Sequence, residues 1–207
     1  MKKLQAIVLG LIFVTGLSCK QAKKEKEEMK SAQTYGIVED STTVRFTAYK
    51  TMDKKPVGGT FTKVDLKYTE AETPMETLDG LEFSIPVSSL FTNDTTNTRD
   101  PKIIHFFFNV MAQTSSITGV FNFDDDKNCS VNLSMNGISE QLPLEYEVTN
   151  GTHINFTGVM DLKKWNALEA LASLNKACEQ LHTGPDGVSK TWEDVAINAS
   201  IVLKKSE

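Results

Sequence analysis

Residues 131–158 read VNLSMNGISEQLPLEYEVTNGTHINFTG, and this stretch decides the fold. Val131, Leu133 and Met135 alternate with Asn132, Ser134 and Asn136. Leu142, Leu144, Tyr146 and Val148 alternate with Pro143, Glu145, Glu147 and Thr149, and Ile154, Phe156 and Gly158 continue the rhythm. A period of two places successive side chains on opposite faces of a strand, so each segment has one apolar and one polar face. The segments are joined by Asn136-Gly137 and Asn150-Gly151. Both residues of an Asn-Gly pair tolerate positive φ, which the tight type I′ hairpin requires. Strands joined by hairpins are antiparallel neighbours.

The same alternation runs outward in both directions. Val44, Phe46 and Ala48 form one strand; Val57 to Thr69 form a second, where Gly58-Gly59 predicts a bulge or sharp bend. Thr77 to Val87 is a third, with Leu81, Phe83 and Ile85 on one face, and Ile117 to Asp125 a fourth, carrying Phe121 and Phe123. Val195, Ile197, Ala199, Ile201 and Leu203 mark the last. With the three above, this makes eight strands. Eight antiparallel strands can close on themselves, remove their edges and leave room for one small ligand. The expected fold is all-β, an eight-stranded antiparallel barrel. Phe46, Phe61, Leu81, Phe83, Phe121, Leu133, Leu144, Phe156 and Ile197 point inward in it, either filling the barrel or lining a hollow.

Two links are long. One carries RDPKIIHFFF at 99–108 and reads as a helix over about 99–111. In the other, Leu168, Leu171, Leu174, Cys178 and Leu181 recur every three or four residues. That is a helical stripe over about 165–182, stopped by Gly184-Pro185. If strands alternate up and down, the third and seventh end at one rim. Both helical crossovers then cover a single mouth, and the opposite rim holds Asp124–Asn128 and the chain termini.

The N-terminal segment differs from the rest. Lys2 and Lys3 precede an apolar run from Ala6 to Val14, too short to span a bilayer but suited to a signal peptide. Gly16-Leu17-Ser18-Cys19 then resembles a bacterial lipoprotein signal over residues 1–18, whose cysteine is acylated and becomes the new N-terminus. The alternative is an ordinary secreted protein cut near Ser18. Residues 19–34 contain KQAKKEKEEMKS, too poor in apolar side chains to order itself, and read as a solvated tether that resembles those of Bacteroidetes surface lipoproteins. The expected location is the bacterial cell envelope, outer membrane or periplasm-facing, with the membrane engaged through acylated Cys19. The folded domain would run over 35–205.

Charge excludes one class of partner. The chain of 207 residues has net charge −5, but residues 1–30 carry +4 and the remainder −9. An acidic domain grips a phosphate backbone poorly, so no nucleic-acid partner is expected. His105, His153 and His182 are too scattered for a metal site, and protonated His182 would favour a helix C-terminus. Asp124, Asp126 and Asn128 start like a calcium loop, but Cys129 and Met135 stand where that loop needs Gly and Glu. No Gly-rich phosphate loop or nucleophile elbow appears, so neither cofactor, metal nor catalytic residues are expected. Cys129 and Cys178 fall at opposite ends of the barrel, too far apart for a disulfide. Arg99 pairs with Asp100, or meets an anionic head group at the mouth.

The residues FSIPVSSLFTN at 83–93, followed by Arg99-Asp100, resemble the YceI-like family. So do the aromatic run at 106–108, the Met135-Asn136-Gly137 turn and Gly158-Val159-Met160-Asp161-Leu162. The resemblance spans about Tyr35 to Lys205. It implies a lipocalin-like barrel that holds a long isoprenoid-type lipid, such as a polyprenyl chain or quinone tail, and an exported binding or carrier protein rather than an enzyme. The implied cavity lining is Phe46, Phe61, Leu81, Phe83, Phe106, Phe107, Phe121, Leu133, Leu144, Phe156 and Ile197. The family usually shows Arg-Asp-x-His-Leu and later Asp-Phe-Phe; here Pro101 follows Asp100, Ile103 replaces the expected residue, and the 165–182 helix is longer. The mouth is therefore expected to be remodelled. The alternative function is an envelope-maintenance or interaction lipoprotein with a filled barrel and no lipid.

Overall fold

The computed structural model describes residues 33–113, 115–123 and 129–206, so the signal segment, most of the tether and Asp124–Asn128 lie outside the described residues. The described residues belong to one unit, Ala32–Glu207. Its strands are β1 (Tyr35–Ile37), β2 (Thr43–Lys50), β3 (Lys55–Phe61), β4 (Asp65–Lys67), β5 (Glu82–Pro86), β6 (Leu90–Phe91), β7 (Ser116–Phe123), β8 (Cys129–Met135), β9 (Ile138–Thr149), β10 (His153–Asp161) and β11 (Asp194–Lys205). The helices are α1 (Pro74–Leu78), α2 (Arg99–Phe106), α3 (Leu168–Ala177) and α4 (Glu179–His182).

All strand pairs are antiparallel, in the order β4-β5-β7-β8-β9-β10-β11-β2-β3-β6, with β1 on β11. The two ends of that order meet. β3 runs on through residues 62–64 into β4, and β5 runs on through a 3-10 turn, Val87–Ser89, into β6. These two bent segments pair twice, as Phe61 with Leu90 and as Leu66 with Phe83. Between the two ladders the Thr62 amide donates to the Ser89 carbonyl at 2.9 Å. The sheet thereby curls into a barrel with its seam at this bent pair.

Eight principal strands are present as the alternation predicts, and the other three of the eleven are β1, β4 and β6. β1 and β6 are too short to show a period. The expected strand 57–69 bends at 62–64, splitting into β3 and β4. The expected strand from Thr77 begins only at Glu82, because Thr73-Pro74-Met75-Glu76 is a helix start. Thr73 accepts from the Glu76 amide at 3.3 Å, Glu76 returns the bond to the Thr73 amide at 3.2 Å, and Pro74 sits at the first helical position.

Gly58-Gly59 makes no bulge. The β2–β3 ladder is unbroken from Val44–Phe61 to Lys50–Lys55. A Cβ on Gly59 would fall 2.4 Å from Cζ of Phe46, its cross-strand partner, so the glycine leaves room for that ring. The turns behave as expected: Asn136, Gly137, Asn150 and Gly151 all have φ between 53° and 71°. Only the first is a two-residue hairpin, since Met135 pairs with Ile138, whereas Thr149 pairs with His153.

The long crossovers are helical and sit together at one end. The first is α2 followed by a 3-10 turn, Phe108–Val110. The second begins later than expected, at Leu168, and breaks at Cys178 into α3 and α4. Trp165 precedes that helix and is wholly buried. Its placement follows from a parting of the wall. β9 pairs with β8 over Ile138–Leu144, but with β10 only over Glu145–Thr149. Where the strands separate, the indole Nε1 of Trp165 donates to the Leu133 carbonyl at 2.9 Å. Asn136 Nδ2 donates to the carbonyls of Trp165 and Asn166, and its Oδ1 accepts from the Ala112 amide. One turn residue thus staples both crossovers to the rim. Cys129 and Cys178 both keep their thiols, at opposite ends as expected.

Candidate functional site

The barrel interior changes character along its axis. Near the β7–β8 link it is solid. The rings of Phe121 and Phe156 lie 5.0 Å apart between centroids, and those of Phe123 and Tyr146 5.6 Å apart. Ile154 and Phe156 are fully enclosed there, and Leu78 of α1 is too.

Further along the axis the interior is hollow. A lower chamber of about 100 Å³ is lined by apolar side chains apart from Thr42. An upper chamber of about 120 Å³ is lined by apolar side chains apart from Thr191, and takes in Phe107 and Phe108 from the first crossover and Leu171 and Leu174 from α3. The chambers share Phe61, Ile117, Met135, Met160 and Ile197, which form the partition between them. Inward glycines keep the walls thin. A Cβ on Gly119 would come within 2.5 Å of Phe83 Cζ and 2.7 Å of Val131 Cγ1, so Phe83 can lie flat against β7 only because that position is glycine.

A third hollow of about 520 Å³ lies at the mouth between β2, α2, α3 and α4. It shares Phe46, Ala48, Ile103, Leu174 and Thr191 with the upper chamber. Its remaining lining mixes apolar side chains, Val57, Cys178 and Leu181 among them, with Lys50, Asp94, Arg99, Lys102 and His182. From the aromatic plug to the mouth, the path runs from packed, through apolar and hollow, to charged and open.

Charge at this vestibule is organised by Asp94. Its Oδ2 accepts from the amides of Thr98 and Arg99 at 3.0 and 3.1 Å and from the Thr96 hydroxyl at 2.6 Å. Those bonds, the Thr96 hydroxyl foremost, hold its carboxyl well below the usual carboxylate range. The same carboxylate pairs with the Arg99 guanidinium at 3.8 Å. The expected Arg99–Asp100 pair does not form, because Asp100 instead accepts from the amide and hydroxyl of Thr92. Lys50 and Lys102 have no acidic partner among the described residues.

His182 closes α4, at a helix C-terminus as expected, but it is not held there as a protonated cap. Its Nδ1 lies 2.7 Å from the Thr191 hydroxyl and 3.3 Å from Asn175 Oδ1. Burial, with a smaller contribution from the Lys50 charge, pushes its pKa down to about 4. The imidazole is therefore neutral at physiological pH.

Most of the predicted lining is brought together. Phe61, Leu81, Phe83, Phe121, Leu133, Leu144 and Ile197 line the lower chamber, and Phe46 and Phe107 the upper. Two residues fall elsewhere. Phe156 belongs to the aromatic plug and borders neither chamber. Phe106 stands outside both, edge-on to His105 at 4.7 Å. From α2 and the turn after it, Ile103, Phe107 and Phe108 reach the interior. The partition residues Met135, Met160 and Ile117 were missed, although each is in phase with a predicted neighbour: Leu133, Phe156 and Phe121. No group of three metal-ligating side chains occurs among the described residues, and none of their helices is long and apolar enough to cross a membrane.

Comparison with known proteins agrees with this geometry. The profile of the YceI-like domain matches residues 35–203. The solved structure of a polyisoprenoid binding domain from Saccharophagus degradans, implicated in plant cell wall breakdown, superposes with a TM-score of 0.60 at 11% identity, covering 84% of this chain and 99% of that one. BcnA of Burkholderia cenocepacia superposes with a TM-score of 0.51 at 17% identity, covering 82% and 99%. No curated protein matches the chain.

Proposed function

The chain belongs to the YceI-like family, and on that premise we propose that it is a binding or carrier protein, not an enzyme, that sequesters the hydrocarbon tail of a long isoprenoid-type lipid in its barrel. The observation that carries this reading is the pair of abutting apolar chambers beneath a single mouth. Burial of apolar surface at about 25 cal/mol per Å² supplies affinity without any specific polar contact. The structural likeness to the polyisoprenoid binding domain of Saccharophagus degradans is consistent with such a cargo. Acylation of Cys19 would hold the protein at the bacterial envelope, with the charged residues 20–31 as a solvated spacer; acyl chains contribute about 0.8 kcal/mol per buried methylene.

Solvent extraction of the purified protein followed by mass spectrometry tests the reading, together with uptake of a fluorescent prenyl probe. A co-purifying prenyl lipid and saturable uptake are expected. Recovery of no lipid and no uptake would leave the second reading, an interaction or envelope-maintenance lipoprotein. One observation favours that alternative: the aromatic plug and the small chambers leave little free volume as the side chains stand. Anchoring is tested separately. Cys19→Ala is expected to abolish labelling by radioactive palmitate and to move the protein out of the membrane fraction.

A further inference from the structure

We propose that the mouth end of the barrel is a docking surface for a lipid bilayer, on which the protein seats itself mouth-down through an interrupted ring of exposed aliphatic side chains. The contact belongs to the protein's own rim and needs no cargo.

Three observations carry it. The first is where the exposed apolar side chains lie. Eight large hydrophobic residues are exposed among the described residues, and five of them, Met52, Val110, Leu168, Leu181 and Val188, stand on the links at the mouth end. They form two groups, each tied to the rim. Met52, Leu181 and Val188 are joined by three bonds. The Thr51 amide donates to the Lys190 carbonyl at 2.9 Å, the Lys190 amide to the His182 carbonyl at 3.1 Å, and the Trp192 Nε1 to the Thr51 carbonyl at 2.8 Å. Val110 and Leu168 stand close to the residues that Asn136 binds, Ala112 on one crossover and Trp165 and Asn166 on the other. The elements that these five residues sit on or follow, β2, α2, α3 and α4, are those that frame the vestibule.

The second is charge. Residues 50–55, 94–110 and 161–194 make up the mouth end and hold nine basic and nine acidic residues. The rest of the chain from residue 31 holds six and fifteen. A surface lined with phosphates therefore repels the sides and the far rim of the domain but not the mouth. The ammonium groups of Lys54 and Lys190 stand over the Trp192 ring, 4.4 and 5.0 Å from its centroid. An aromatic ring bracketed by lysines suits the depth of lipid head groups, where apolar bodies and polar tips are both accommodated.

The third is area, which selects the occupant. Full burial of an aliphatic side chain removes about 60–120 Å² from water, so five that are 44–59% exposed offer on the order of 150–300 Å². A stable contact with a second copy or another protein needs about 800 Å² a side. The ring supplies a fraction of that and is interrupted by the vestibule. A fluid bilayer sets no such threshold and closes around an interrupted ring. The area gives a binding constant of about 10⁴ M⁻¹, comparable to a single myristoyl chain, so docking is reversible.

The test is co-sedimentation of the purified full chain carrying Cys19→Ala, in which no acyl group contributes, with phosphatidylcholine vesicles. Two triple variants on that background are compared with it: Met52→Ser, Leu181→Ser, Val188→Ser at the mouth, and Phe91→Ser, Val148→Ser, Val159→Ser elsewhere. The parent is expected to bind with a constant of about 10⁴ M⁻¹. Each mouth substitution is worth about fivefold, so the mouth triple should bind about a hundredfold more weakly. The other triple should stay within about threefold of the parent. Leu181→Ser alone, at the most exposed of the five, should show its fivefold loss even if the triple fails to fold. Raising the salt should change parent binding by less than about twofold, because the docking face carries no net charge. A parent that stays in the supernatant, a folded mouth triple that binds as well as the parent, or a folded second triple equally weakened would each overturn the docking surface. A parent that dimerises without vesicles, and a mouth triple that does not, would place a second copy on this face and overturn it too. No cargo enters these measurements, so their outcome is independent of the carrier reading.

Discussion

Met160 offers the sharpest test of whether the hollow interior is a route for cargo. It is 6% exposed and stands in the partition between the chambers. Those chambers measure about 100 and 120 Å³. An engineered cavity of about 150 Å³ holds benzene, and pockets for drug-sized ligands run to about 300–1,000 Å³. Neither chamber alone takes more than a fragment of a prenyl chain, so a long tail must push the partition aside. Two of its five members are methionines, the most adaptable of core side chains. Met160→Ala removes the obstacle in advance. Truncating a buried methionine costs about 2–5 kcal/mol. The low end applies here, because Met160 already borders empty space on two sides and loses fewer contacts. About 2 kcal/mol corresponds to a fall in Tm of roughly 4–8 °C for a chain of this size. Uptake should move the other way. Stopped-flow mixing with a fluorescent prenyl probe should show faster entry than in the wild type. Saturating geranylgeraniol should raise Tm by more in the variant, since binding to the folded state stabilises it in proportion to affinity. Met160→Phe should slow entry. If both variants take up the probe at the wild-type rate, with the same gain in Tm, the chambers are not on the path and the threading idea fails.

Gly119→Val should abolish uptake by another mechanism. Its side chain would overlap Phe83 and Val131, so the Phe83 ring is driven into the lower chamber, at a cost of about 1–3 kcal/mol from overpacking; full probe binding by a stable variant would count against this packing account. Trp165→Phe should cost about 1–3 kcal/mol in denaturant unfolding, because the Leu133 carbonyl loses its indole donor in a buried site; a cost under about 0.5 kcal/mol would show that the indole bond is dispensable. His182 should make stability depend on pH between about 6.5 and 4. Its folded pKa of about 4 is depressed, so the unfolded chain binds the extra proton first as pH falls, and stability is complete above about 6.5 and declines toward 4. The loss is about 1–2 kcal/mol once solvent screening of a half-buried ring is allowed for. His182→Gln should flatten that window in thermal melts at pH 7 and pH 5. Glu193, held down to about 2 chiefly by its bond to Lys163, gives up its stabilisation below the usual carboxylate range and so contributes little in the histidine window.

The wall of the barrel was legible because it repeats. Each inward residue of β8 and β10 is announced by its neighbours two positions away, and the Asn-Gly turns fix where one strand ends and the next begins. The same signal fails where an element is shorter than its own period. β1, β4 and β6 have three, three and two residues, and no alternation can be read from so few. It also fails where two codes overlap. Thr77 and Leu81 continue the two-residue spacing of Phe83 and Ile85, yet the Thr73–Glu76 capping box captures Thr77 into α1. Gly58-Gly59 misled for a third reason. A glycine in a strand signals either a bend or a close approach, and only the cross-strand register with Phe46 decides between them.

The site was legible only in outline, and the reason is physical. A cavity for hydrocarbon needs no donor or acceptor at a fixed spacing, so it leaves no motif. Its lining can be read from periodicity, but a hollow differs from a filled core by the volume of a few side chains. Phe156 and Phe83 both stand on inward faces; one packs into the plug and the other borders space. Which does which depends on the residue opposite. Phe83 faces Gly119 and lies flat against the wall, whereas Phe156 faces Tyr146 and Ala199 and is packed from the side by Phe121. Hollowness is therefore a property of cross-strand pairs rather than of residues, and it can be anticipated wherever an inward aromatic is registered against an inward glycine. Phe46 with Gly59 satisfies that condition as Phe83 with Gly119 does, and these rings border the upper and the lower chamber respectively.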